Sequence, residues 1–180
     1  LNKNSQIERI EPSNINISTR NSRDGFLSLN LSQSEREGLN GPFKLVCIYK
    51  LPLPFSNDKS ETLSISGQDF FYPQVKVKNK TTYMVTFKVK IQTPTSFKVV
   101  SQGEKLEEII DNGNRTVIWN EEKPQEEILL IADRYHEFSN RHGSVALYAY
   151  LLDNDRTLAE RYFEATRSYL DLYSKLLAPY

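Results

Sequence analysis

Two histidines stand close together in the run Tyr135-His136-Glu137-Phe138-Ser139-Asn140-Arg141-His142, and beside Glu137 they come near to a zinc motif. A zinc peptidase helix uses H-E-x-x-H, because residues four apart place both imidazoles on one helical face beside a glutamate base. Here the second histidine follows the first by six positions, and Asn140 stands where the ligand is required. Six positions are ~240° around a helix axis. Ser139, Asn140 and Gly143 mark the segment as a loop, so the pair reads as ordinary surface histidines, and no metal site is expected in this chain.

Other chemistries find less. There is no G-x-S-x-G elbow for a nucleophilic serine. The run Ser64-Ile65-Ser66-Gly67-Gln68 lacks the Gly and Lys spacing of a phosphate loop. Carboxylates are plentiful, but none is visibly paired in an apolar context, as a glycosidase needs. The single cysteine, Cys47, lies in the apolar run Phe43-Lys44-Leu45-Val46-Cys47-Ile48-Tyr49 and reads as a buried small hydrophobe. Phe70-Phe71-Tyr72-Pro73 is the densest aromatic cluster. It suits either a stacking platform for sugar or peptide or a strand end whose rings fill a core, and core filling is the expectation, as it is for Trp119.

The elements that position these residues are mostly strands. From 82 to 92, Tyr83, Val85, Phe87, Val89 and Ile91 alternate with Met84, Thr86, Lys88, Lys90 and Gln92, giving one buried and one wet face. Shorter runs fall at 15–18, 26–31, 43–49, 62–66, 96–101, 115–120 and 127–132. Turn signals separate them, and Asp111-Asn112-Gly113-Asn114 joins 106–110 to 116–119 as a hairpin. The acidic stretch 104–111 reads as its solvated edge, and 143–152, apolar at both parities, as a strand buried on both sides. Residues 1–14 carry no pattern and are expected to be partly disordered.

After 157 the period changes. Leu158, Tyr162, Ala165, Tyr169, Leu172 and Leu176 form one helical row. Ala159, Phe163, Thr166, Leu170, Tyr173 and Leu177 form a second row beside it. Thr157 with Glu160 makes a capping box, with Asp155 as the alternative cap. Arg167–Asp171 and Asp171–Lys175 are expected charge pairs on the wet face. Pro179 ends the helix. Docking on a sheet takes one row, so the second row is expected to meet another partner beyond Tyr180, the alternative being that the helix wedges into its own sheet.

Lys plus Arg and Asp plus Glu both number 23 in 180 residues, so the net charge is +0. That excludes an electrostatic nucleic-acid or anionic-membrane binder. No apolar stretch approaches the roughly 20 residues of a membrane span. No signal segment follows Leu1-Asn2-Lys3-Asn4-Ser5, and the lack of an initial Met fits a trimmed start.

The order of these motifs resembles the N-terminal domain of aminopeptidase N-like zinc metallopeptidases. The resemblance runs from Leu63-Ser64-Ile65-Ser66-Gly67 and Phe71-Tyr72-Pro73, through 87–94, Val99-Val100-Ser101-Gln102-Gly103 and Trp119-Asn120-Glu121-Glu122-Lys123-Pro124, to 128–135. The ending, Tyr169-Leu170-Asp171-Leu172-Tyr173 and then Leu177-Ala178-Pro179-Tyr180, is similar to the helix and G-P-Y that open that family's catalytic domain, with Ala178 in place of Gly. The likeness covers roughly 43–180, and no single motif in it is specific.

The resemblance implies a mostly β, saddle-like fold of layered antiparallel sheets or a sandwich, with one long C-terminal amphipathic helix. It divides the chain into a β-rich domain, 1–153, and a helix, 154–180, that opens a catalytic domain not contained here. It implies a non-catalytic role, with zinc held by the parent's catalytic domain, a peptide as the parent's substrate, and a parent that is often exported or membrane-attached. The catalytic domain is the expected partner of Leu158, Tyr162, Phe163, Tyr169, Leu170, Tyr173, Leu176 and Leu177. The family's acidic P-C-x-D-E-P stretch is absent, with Phe71-Tyr72-Pro73-Gln74 in its region, which suggests a divergent, bacterial-type branch. Gln68 is the candidate for the family's substrate-lining Gln, and the same departure weakens that carry-over. The alternative is a stand-alone β-sandwich that binds protein or carbohydrate, with a self-sufficient fold and an exposed aromatic platform at 70–72.

Overall fold

A computed structural model describes residues 1, 4–11, 17–21, 27–31, 46–50, 62–69, 71–74 and 84–178. Among them the strands run β1 (Gln6–Glu11), β2 (Ile17–Asn21), β3 (Leu27–Leu31), β4 (Val46–Lys50), β5 (Leu63–Ile65), β6 (Val85–Pro94), β7 (Lys98–Ser101) and β8 (Glu104–Asp111). They continue as β9 (Asn114–Gln125), β10 (Leu130–Asp133), β11 (His136–His142) and β12 (Val145–Leu151), followed by the helix α1 (Arg156–Leu176). All pairings are antiparallel, in sheets ordered β6-β9-β8, β5-β10-β7, β11-β12, β1-β4 and β2-β3. The chain is thus mostly β, in several antiparallel sheets with one C-terminal helix.

The β6-β9-β8 sheet grows from the expected hairpin. Asn112 and Gly113 have φ of 48° and 77°, the left-handed pair that a two-residue turn needs to match strand twist. Asp111 consequently faces Asn114, and β9 becomes the central strand. Pro124 is accommodated in β9 because the ladder to β6 is irregular there: Glu121 opposes Phe87, and Gln125 opposes Val85. The smaller β5-β10-β7 sheet supplies Val99 and Ala132, which bury with Val117 and Trp119 of β9. Leu63, Val89, Ile91 and Val100 pack around them. Trp119 Nε1 donates to the Val99 carbonyl at 3.2 Å, so the buried indole closes this two-sheet core with its polar atom satisfied.

A second core lies between the β11–β12 hairpin and α1. Leu147, Ala159 and Phe163 are buried there, with Phe138, Val145, Ala149, Leu151 and Leu170 packed on them. The hairpin register runs unbroken from His136↔Leu151 to His142↔Val145. Even-numbered residues of β11 and odd-numbered residues of β12 therefore share the face that meets the helix.

Several local expectations are corrected. The segment expected to be a loop at 135–142 is strand β11, because seven backbone pairs with β12 outweigh its polar composition. The second face of β12 is covered only in part: Tyr150 is half-buried, but Tyr148 is 55% exposed and Ala146 is also exposed. Within the stretch 1–14, expected to be partly disordered, residues 6–11 form β1, whose backbone pairs with β4, and 2, 3 and 12–14 lie outside the described residues. Asp171 meets His142 rather than Arg167 or Lys175. The expected strand at 43–49 is described only from 46, and Phe70, Tyr83, Pro179 and Tyr180 also lie outside the described residues.

Candidate docking surface

Asp155 starts α1: its Oδ1 accepts from Leu158 N at 2.9 Å, the side-chain cap that an N-terminal turn requires. Of the two possible caps it is the one used. From there the helix runs to Leu176, with Leu177 N returning to the Tyr173 carbonyl at 2.9 Å. Ala159 and Phe163 of the second row are 0% and 3% exposed, sealed against β12. Two polar contacts fix the helix azimuth on the hairpin. Asn140 Nδ2 donates to Glu160 Oε2 at 3.3 Å, and His142 Nε2 lies 2.7 Å from Asp171 Oδ1.

The residues expected to meet a further domain separate into three groups. Phe163 is enclosed within this chain. Leu158 and Leu170 are half-buried at the hairpin margin. Tyr162, Tyr169, Tyr173, Leu176 and Leu177 are exposed, with Leu176 at 67% and Leu177 at 81%, and Leu172 joins them at 47%. Tyr169 and Tyr173 stack on one another, ring centroids 6.3 Å apart. Where this row borders β12 a groove of ≈ 250 Å³ opens, floored by Leu147, Ala149 and Phe163 and flanked by Tyr148, Tyr162 and Thr166. The groove runs along β12, which among the described residues pairs with β11 alone. Contiguous apolar rings and aliphatic side chains form a surface of the kind that binds other protein. Tyr148 was the member hidden in the sequence, because apolar residues at both parities suggest burial on both sides.

The remaining candidates hold no such assembly. His136 and His142 share one face of β11, six residues apart, which is ~20 Å along a strand and too far for one metal ion. Among the described residues there is no group of three or more His, Cys, Asp or Glu placed to hold a metal. Gln68 is exposed in a 3-10 turn, Gly67–Asp69, its amide donating to Ser66 Oγ at 3.2 Å. Phe71 and Tyr72 are half-buried and pack edge to face at 4.9 Å. The Tyr72 hydroxyl accepts from Ile128 N at 3.3 Å and Tyr49 donates its hydroxyl to the Phe71 carbonyl, so both aromatic residues are tied into structure rather than presented as a platform. Cys47 is half-buried, and burial pushes its thiol up, away from the reactive thiolate. No described helix is long and apolar enough to cross a membrane. No family model, curated protein or solved structure matches the chain.

Proposed function

We propose that this chain is the non-catalytic β domain of an aminopeptidase N-like zinc peptidase. In that role the exposed row of α1 and the groove beside β12 dock on the catalytic domain, and the β sheets shape the entrance through which peptide substrate reaches its zinc. The motif order from 63 to 180 suggests the family. The observation that carries the reading is the helix itself: α1 buries Ala159 and Phe163 and leaves Tyr162, Tyr169, Leu172, Tyr173, Leu176 and Leu177 uncovered. Six large apolar residues on one helix are more than a lone domain ordinarily exposes in one patch.

The zinc, its ligands and the general base belong in this reading to the catalytic domain, and the residues described here are not asked to supply them. The test is to read the coding sequence past Tyr180 and to compare the 180-residue chain with the longer product. An H-E-x-x-H motif and a later glutamate, with zinc binding and peptide cleavage confined to the longer form, support the proposal. A frame that closes at Tyr180, with a stable monomer, removes it and favours a binding module.

A further inference from the structure

Among the described residues the two apolar clusters, with the half-buried residues packed on each, share no member, and the β11-β12 sheet has no backbone pairing to the other sheets. What lines the seam between them is mostly charged side chains, with Tyr150 and the flanks of Val99 and Val117. The face of the β6-β9-β8 sheet that carries Val117 and Trp119 changes toward β8 into Lys105, Glu108 and Arg115. The hairpin covers that part with Glu137 and Tyr150, which oppose one another in its register.

Glu137 is the hub. Its Oε2 accepts from Lys98 Nζ of β7 at 2.7 Å, and its Oε1 lies 3.7 Å from Lys105 Nζ of β8. Lys105 also reaches Glu108 at 2.9 Å, and Glu108 pairs with Arg115 of β9. The Glu137 side chain is 19% exposed and those of the two lysines 26%, so these pairs are shielded far more than surface ion pairs are. Among the described residues Glu137 is the one hairpin-side anion in the seam, which encloses a cavity of only ≈ 10 Å³. The covalent link is the short segment Arg134-Tyr135, where Arg134 sits over the Phe97 ring at 5.2 Å and Tyr135 packs on Tyr150 at 6.1 Å.

We propose that Glu137, gripped by Lys98 and Lys105, is a latch that holds the β11–β12–α1 unit on the two-sheet unit, and that the helix-bearing unit opens by cooperative local unfolding, beginning at residues 134–135, when the latch is released. Packed interfaces are bistable rather than continuously deformable, and a seam whose cross-contacts converge on one carboxylate has a closed arrangement that a single group holds, which is the requirement for a two-state element. The device sets the orientation in which the exposed row of α1 is presented, and it holds whatever partner covers that row.

The experiment is native-state hydrogen exchange on the full 180-residue chain, wild type against Glu137→Gln, which keeps the shape and removes the charge. Amides of β11, β12 and α1 are expected to exchange roughly tenfold faster, the loss expected for a hydrogen bond to a charged group, while β9 and β10 stay unchanged. Acceleration in both units alike, or in neither, overturns the latch. Should Glu137→Gln fail to fold, Lys98→Gln removes only one of the two grips and is read by the same pattern: faster exchange confined to 136–176 supports the latch, and any other distribution rejects it.

Discussion

Around Trp119 an apolar cluster is closed from both sides by sheets, whereas around Phe163 a similar cluster is closed by a hairpin on one side and a helix whose far side faces water. The first core is satisfied down to the indole N–H. The second stops at a groove of ≈ 250 Å³ and a row of exposed tyrosines and leucines. Within one chain the same hydrophobic chemistry thus builds an enclosed interior and a surface left open to water. The difference lies in what remains uncovered rather than in which residue types are used.

The sharpest way to break this comparison is Phe163→Ala. Truncating that ring removes the largest member of the second core and should cost about 4 kcal/mol. Helical circular dichroism is expected to melt early, with Trp119 fluorescence keeping its own midpoint. A single shared midpoint would mean the cores are one cooperative unit. Next comes Gly103→Ala, aimed at the first core. Gly103 has φ of +86°, and a Cβ there would stand 2.2 Å from the Asn120 carbonyl oxygen. The backbone of β9 must shift, at about 3 kcal/mol, and here the Trp119 signal should move first. Gly113→Ala, with φ of +77° and open space around it, meets only the left-handed strain and should cost about 1 kcal/mol.

A smaller effect separates the seam from both cores. Burial pushes the Glu137 carboxyl up, but the hydrogen bond from Lys98 and the charges of Lys105 and Lys98 outweigh it and hold the group below its ordinary 4.5. The stabilisation is therefore complete above pH 4.5, where even the unfolded chain is ionised, and is lost as pH falls through the lower folded value. Denaturation midpoints measured down from pH 5 should decline more steeply for the wild type than for Glu137→Gln. Parallel curves would show that the carboxylate is not what couples the units.

Period and turn chemistry made much of this fold legible. The alternation expected from 82 to 92, which the described residues show from Val85, the Asn112-Gly113 turn and the long helix appear where their local patterns place them. β11 was hidden because its residues, His136 to His142, are polar on both faces. Its helix-facing side is made of Phe138 and of side chains that hydrogen-bond α1, such as Asn140 and His142, and those partners are 20 and 29 residues away. The over-wide helix could be read from residue types alone, but which row would be sealed could not, since that depends on where Asp155 and the hairpin set its azimuth. The latch was invisible for the same reason: Lys98, Lys105 and Glu137 become neighbours only after three strands have paired.

The smallest expected effect is the one that decides whether the second core is open. Tyr169→Gln and Leu176→Gln replace residues that are 60% and 67% exposed with a good helix former. Tyr169 gives up only its exposed stack on Tyr173, so each should change the stability of the chain by less than about 0.5 kcal/mol. The double variant should instead lower the tendency of the 180-residue chain to self-associate in sedimentation velocity, because it removes apolar area from the same row. If each substitution costs 2 kcal/mol or more, the row is covered from within the chain, and the contrast between a finished core and a half-built one disappears. If stability holds while association falls, the row has no role in folding, and what it awaits is another protein surface.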